Sequence, residues 1–121
     1  MHELSIAEGV VRIAAEHADG RRVTKVYLKV GHLRQVVPSA LSFGFELLAQ
    51  GTPAEGAELE IDMVAAAGTC RACGYETRLE SFPLQCGSCG DFDLNVVAGE
   101  ELYVESLELE EPADEKVTAD G

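Results

Sequence analysis

Tryptophan is absent from these 121 residues, and cysteine occurs only four times. No apolar run approaches the roughly 18–20 residues that a membrane-spanning helix needs, so a membrane partner is not expected. Basic residues are the next scarcity: nine Lys and Arg stand against 22 Asp and Glu, a formal net charge of -13. A surface that grips phosphates requires a basic stripe. Between Cys70 and Cys89 the cations are Arg71 and Arg78, and Glu76 and Glu80 offset them. Nucleic acid is therefore excluded as a partner, whereas a basic protein or a metal cation suits this field. The opening Met1-His2-Glu3-Leu4 shows no basic region followed by an apolar core, which predicts a cytoplasmic protein with reduced thiols. Catalytic signatures are missing as well. There is no nucleophile elbow, no phosphate-cradling Gly-rich loop and no H-E-x-x-H, so no enzyme is expected.

What the chain does have is concentrated. All four cysteines lie in two matched knuckles, Cys70-Arg71-Ala72-Cys73-Gly74 and Cys86-Gly87-Ser88-Cys89-Gly90. Each knuckle offers two thiolates on a tight turn, and two knuckles complete the tetrahedral S4 shell that Zn2+ favours. Gly74, Gly87 and Gly90 are placed where the backbone is expected to turn at positive φ. Two disulfides are the alternative in an oxidising compartment, and an iron site has the same S4 geometry. Zinc is the favoured reading. Four thiolates leave it no open position for water, which argues against a hydrolytic metalloenzyme.

Periodicity organises the rest. Ser5 to Ala18 reads as a helix that starts at Ser5, or a turn earlier at Glu3. Ser5 and Glu8 form a capping box, Ala7, Val10, Val11, Ala14 and Ala18 face inward, and Asp19-Gly20 ends the run. Val23 to Gly31 alternates as a strand, with Val26, Leu28 and Val30 to one side. After a loop over His32 to Val37, Pro38 opens a second helix that Gly51 closes. Leu41, Phe45 and Leu48 make its inner stripe; Phe43 and Leu47 widen it, which predicts cover on more than one side. Ala57 to Met63 alternates apolar and acidic residues, predicting one buried and one wet face. Glu101 to Glu110 reads as a third strand whose apolar parity shifts near Ser106, as a bulge would cause.

The expected architecture is α+β: two helices on one face of a small three-stranded sheet, with an inserted zinc-ribbon lobe. Its predicted divisions are an α/β lobe from 1–66 plus 99–110, a ribbon lobe over 67–98, and an acidic disordered tail from 111–121. A segment of roughly 30 residues cannot fold on buried area alone, so the metal is expected to hold the ribbon together.

Three histidines remain, His2, His17 and His32. His17 suits a helix C-terminus, where the macrodipole favours it, and His32 suits a loop surface. His2 is different. The Met1 α-amine, the His2 amide nitrogen and the His2 imidazole can chelate one metal in fused rings, and planar nitrogen donors suit Ni(II) or Cu(II). Glu3 adds a carboxylate or a backbone donor.

Met1-His2-Glu3-Leu4-Ser5, Val30-Gly31-His32-Leu33-Arg34-Gln35-Val36-Val37-Pro38 and Phe45-Glu46-Leu47-Leu48-Ala49-Gln50-Gly51-Thr52 complete a pattern with both knuckles and the closing Gly99-Glu100-Glu101-Leu102-Tyr103-Val104. Together, over residues 1 to about 110, they resemble the HypA/HybF family of nickel-incorporation proteins of NiFe-hydrogenase maturation. The resemblance implies a nickel metallochaperone in which His2, Glu3 and the Met1 amine hold nickel as transferred cargo. Cys70, Cys73, Cys86 and Cys89 then hold structural zinc. It further implies a HypB-type nickel-insertion GTPase and the hydrogenase large-subunit precursor as partners, the chain itself being a monomer or weak homodimer. The loop Gln35 to Ser39 lacks the carboxylate that some members carry, which leaves His32 as a substitute candidate for a further nickel donor. The alternative reading is a zinc-ribbon interaction module with no nickel role of its own.

Overall fold

The computed structural model describes residues 2–111. The order of elements is α1 (Glu3–Glu16), β1 (Val23–Gly31), a 3-10 turn (His32–Arg34), α2 (Pro38–Ala49), β2 (Glu58–Val64), β3 (Ala66–Cys70), β4 (Glu76–Leu79), β5 (Leu94–Ala98) and β6 (Leu102–Leu109). Two three-stranded sheets result, one ordered β2-β1-β6 and the other β4-β3-β5. The class is α+β, as expected, with a second small sheet built from the segment that carries the cysteines. The expected acidic tail from 112 onward lies outside the described residues. The described residues separate into two compact units: 2–28, 37–61 and 104–111 form one, and 29–36 and 62–103 form the other.

In the first unit the two helices pack together and bury an apolar stripe from each. Ala7, Val10, Val11 and Ala14 of α1 are buried, as are Leu41, Phe45 and Ala49 of α2, with Val23, Val26 and Leu28 of β1. No polar or charged residue is buried among those described. Intervening positions of β1 carry charge: Lys25 Nζ lies 3.1 Å from Glu60 Oε1, and the Tyr27 hydroxyl donates to Glu108 Oε2 at 2.5 Å. These pairs join half-buried positions of β1 to exposed carboxylates and each adds little to stability, so burial on the alternate positions decides which face of β1 turns inward.

Four expectations need correction. Helix α1 starts at Glu3 with His2 as N-cap and no side-chain cap, so Ser5 and Glu8 lie inside the helix and form no capping box. It ends at Glu16, ahead of Ala18 and of the left-handed Asp19 (φ 55°) and Gly20 (φ 78°). On α2, Phe43 and Leu47 are exposed rather than covered, and Leu48 is also open to solvent. On β2, Leu59 and Ile61 are only half-buried and Met63 is exposed, so the predicted dry face is half-covered. The parity shift on β6 is present: Leu102 and Val104 are half-buried, Glu105 and Ser106 are both exposed, and Leu107 and Leu109 resume the inner positions.

The second unit contains the ribbon. Strand β3 pairs antiparallel with β4, Ala66 facing Leu79 and Thr69 facing Glu76. It pairs with β5 on its other side, Cys70 facing Leu94, with a register irregularity between Ala67 and Gly68. Within residues 62–103 the buried apolar side chains are Ala66, Cys70, Leu79 and Cys86. Two of those four are thiols, so sulfur makes up a large share of the ribbon's small interior.

Candidate metal centre

The two knuckles are built to one pattern. In the first, the Gly74 N–H donates to the Cys70 carbonyl at 2.8 Å and the Cys70 N–H donates to the Tyr75 carbonyl at 2.9 Å. In the second, Gly90 donates to Cys86 at 3.1 Å and Cys86 donates to Asp91 at 2.8 Å. Each turn closes on a glycine at φ 80°, Gly74 and Gly90, a conformation that any Cβ would strain. Gly87 departs from expectation. It is absent from the positive-φ residues, and its N–H instead donates to Thr77 Oγ1 at 2.9 Å, which ties the second knuckle to β4.

These turns aim all four sulfurs at one point, with every Sγ within 4.8 Å of the others. Two separations that cross between knuckles are 3.6 Å for Cys70 to Cys89 and 3.7 Å for Cys73 to Cys86. Zn–S bonds of about 2.3 Å in a regular tetrahedron require edges of about 3.8 Å, so the sulfur spacing fits that ion. Cys70 and Cys86 are buried while Cys73 and Cys89 reach solvent.

Electrostatics point the same way. Backbone N–H groups already solvate sulfur: Cys73 donates to Cys70 Sγ at 3.4 Å, and Ser88 and Cys89 donate to Cys86 Sγ at 3.4 and 3.5 Å. The Cys89 amide, joined by that of Ser88, draws the Cys86 thiol down to about 6. Cys89 moves the other way. The Asp91 amide favours its thiolate, but the neighbouring Cys70, Cys73 and Cys86 sulfurs and burial outweigh that and push it up to about 12. Cys73 is also raised: the Tyr75 amide is overcome by burial and by the sulfurs of Cys86 and Cys70. Four thiolates at this spacing repel one another unless a cation sits among them, and a divalent ion supplies that cation. Around the knuckles, Arg71 Nε pairs with Asp93 Oδ1 at 3.1 Å and Gln85 Nε2 donates to the Gly90 carbonyl at 2.9 Å. Thr77, Asp93 and Gln85 carry no sequence signal that separates them from ordinary surface polar residues.

The other sequence-predicted ligands are spread differently. His2 is exposed at the N-cap of α1, and its carbonyl accepts from the Ile6 N–H at 3.0 Å. Glu3 follows on the first turn, half-buried, with Oε2 accepting from the Val37 N–H at 3.0 Å. The Met1 amine lies outside the described residues. His32 is exposed at the start of the 3-10 turn in the second unit, where its carbonyl accepts from Gln35. His17 caps the C-terminus of α1, its Nδ1 donating to the Ile13 carbonyl at 2.9 Å. Among the described residues, the cysteine set is the group of three or more His, Cys, Asp or Glu side chains close enough to share an ion.

No helix of the described residues is long and apolar enough to cross a membrane. Residues 1–109 match the family model described as hydrogenase/urease nickel incorporation, metallochaperone HypA. A hydrogenase maturation factor HypA from Geobacter sp. (strain M21) is 48% identical over 110 residues, 91% of this chain and 100% of that protein. One from Nostoc punctiforme is 41% identical over 111 residues, 92% of this chain and 97% of that protein. The solution structure titled as the Ni metallochaperone HypA from Helicobacter pylori aligns with a TM-score of 0.64 at 20% identity, covering 90% of this chain and 97% of that one, which is a likeness of fold.

Proposed function

Because the chain belongs to the HypA family of hydrogenase/urease nickel-incorporation metallochaperones, we propose that it binds Ni(II) at its N-terminus and helps insert it into the NiFe-hydrogenase large subunit. It acts in the cytoplasm as a carrier rather than an enzyme. The observation that carries this reading is the exposed His2 at the head of α1, beside Glu3, in a chain whose family match begins at residue 1.

The His2 imidazole and amide nitrogen, with the Met1 amine, make the chelate. Glu3 contributes through its backbone, since its carboxylate is engaged with the Val37 N–H. Planar nitrogen donors suit Ni(II), but they bind Cu(II) more strongly, so geometry and delivery must supply selectivity. Ligands at a chain end suit transfer, because a docked acceptor can displace them one at a time. Protons compete for the same nitrogens, so nickel affinity weakens as the pH is lowered. The receiving partners are a HypB-type GTPase and the hydrogenase large-subunit precursor.

Cys70, Cys73, Cys86 and Cys89 hold structural zinc in this reading. When bound, the ion neutralises four thiolates and joins the two knuckles, with no coordination position left open. The functional divisions follow: residues 1–66 with 99–110 carry the cargo, and 67–98 form the zinc ribbon.

Nickel titration of untagged protein by calorimetry tests the assignment. His2→Ala should lose one-to-one nickel binding and keep its zinc content and its circular dichroism. One-to-one binding retained by the folded variant would sink it. A second reading, a zinc-ribbon interaction module without a nickel role, draws on the exposed Tyr75, Phe82 and Phe92 of the second unit. Normal nickel-dependent hydrogenase yield in cells carrying His2→Ala would favour that reading.

A further inference from the structure

Helix α2 carries more apolar surface than its own unit covers. Its inner stripe is satisfied by Leu41 and Phe45, yet Phe43 is 66% exposed and Leu47, one turn on, is 50% exposed. Leu4 of α1, 59% exposed, extends the same surface. Scattered exposed apolar residues are normal, but these three line one groove of about 450 Å³ between the start of α1 and the outer face of α2, with His2 at its rim. A second groove of about 330 Å³ adjoins it on the far side of Phe43 and Leu47, bordered by Glu46 and Glu55. The i, i+4 pair is thus a ridge between two furrows, the shape that accepts the apolar side of a helix.

Charge selects the occupant. Glu46 and Glu55 are exposed, and neither furrow has a Lys or Arg among its lining residues. A second copy docking through the same face would bring these carboxylates against their own equivalents, in a chain of formal net charge -13. An anionic lipid surface or nucleic acid meets the same repulsion. We propose that this face is the docking surface for a protein partner that presents an amphipathic helix, with apolar residues for the Phe43–Leu47 ridge and Lys or Arg on its flank. Its use, bringing an acceptor up to His2, rests on the nickel reading; the surface itself does not.

Two fluorescein-labelled 18-residue helical peptides test it by anisotropy at physiological salt, one patterned with Leu and Lys and one with Leu and Glu. The Leu/Lys peptide should bind and the Leu/Glu peptide should not. Phe43→Glu and the milder Leu47→Gln should each weaken Leu/Lys binding, the first by at least tenfold. Val97→Glu, at an exposed apolar residue of β5, should leave it unchanged. Phe43→Glu adds a negative charge, so association driven by charge alone would strengthen. Unchanged or tighter binding by that variant overturns the proposal, as does no binding by wild type. A concentration-dependent dimer in sedimentation that Phe43→Glu dissociates also overturns it, by assigning the face to a second copy. Nickel titration reads a different set of atoms, so a failed cargo reading leaves this result standing, and the reverse holds too.

Discussion

In the ribbon, four thiols converge within 4.8 Å on paired turns whose backbone amides already point at sulfur. At the head of α1, a histidine and a glutamate stand on the open first turn of a helix, with no third carboxylate, thiol or imidazole among the described residues gathered to them. The first place can enclose an ion and has a small interior besides, since Ala66 and Leu79 are the buried apolar residues that accompany Cys70 and Cys86. The second rests on a helix already anchored by Ala7, Val10, Val11 and Ala14. In the function proposed above, a closed shell would make its metal part of the fold, whereas an open chelate on a finished fold would let its metal leave, so that retention and release would be separated along one chain.

The largest effect should come from opening the closed shell. Metal binding to small S4 ribbons contributes folding free energy on the order of 10 kcal/mol. Cys70→Ser should therefore abolish stoichiometric zinc and remove hydrogen-exchange protection from β3, β4 and β5, while the helical dichroism of α1 and α2 persists. Protected ribbon amides in a zinc-free Cys70→Ser protein would break the contrast, because the ribbon would then fold without its ion.

A second lesion asks whether metal alone secures that unit. Gly31 ends β1 where the chain returns from the ribbon: its N–H donates to the Glu101 carbonyl at 2.6 Å, and Leu33 donates to Gly99 at 2.8 Å. A Cβ on Gly31 would lie 2.0 Å from the Gly99 carbonyl oxygen and 2.5 Å from the Glu100 nitrogen, both backbone atoms that cannot swing aside. Gly31→Ala should cost about 3 kcal/mol in urea unfolding with zinc still bound. A change below about 0.5 kcal/mol would show that the return is loosely packed and that the shell carries the unit alone.

How legible these two places were differs for physical reasons. Thiolate spacing is written in the sequence because an S4 shell needs two tight turns, and each turn has its own local signature at Cys70–Gly74 and Cys86–Gly90. Strand β1 was equally plain, since alternation at Val26, Leu28 and Val30 is a local consequence of one-sided burial. Of the two helix starts that the sequence offers, the earlier one at Glu3 is the one observed, and the capping box at Ser5 and Glu8 misled because its residue types also fit the interior of a helix. Phe43 and Leu47 misled in the opposite sense: periodicity records that a face is apolar, not which molecule covers it. The three strands of the ribbon left little periodic trace because they are only five, four and five residues long, and the inner positions of β3 are Ala66, Gly68 and Cys70 rather than large apolar residues. At the proposed chelate, the sequence suggests the donors, but the Glu3 carboxylate's bond to Val37 links positions 34 apart, which no local pattern encodes.

A smaller effect probes the open end by changing only its first donor. A short Gly-Ser extension ahead of Met1 turns the α-amine into an amide and leaves every side chain in place. Nickel affinity should fall about a hundredfold, some 2.8 kcal/mol, with zinc content unchanged. Undiminished affinity would move the chelate off the terminus and erase the distinction between an enclosed site and an end-on one.

The smallest effect concerns Glu3, where fold and cargo meet in one residue. Its Oε2 accepts from the Val37 N–H at 3.0 Å, at the N-cap of α2, where the positive end of a helix welcomes a carboxylate. Glu3→Gln keeps an acceptor oxygen of the same reach and removes the charge, so stability should fall slightly, since a charged hydrogen bond is stronger than a neutral one. If the carboxylate serves α2, the nickel donor at this position is the backbone, and Glu3→Gln should change nickel affinity by less than tenfold. A loss as deep as that of His2→Ala, without a fall in stability, would reverse the assignment. The carboxylate would then belong to the cargo, and the open end would approach the closed shell in the number of side chains it commits to metal.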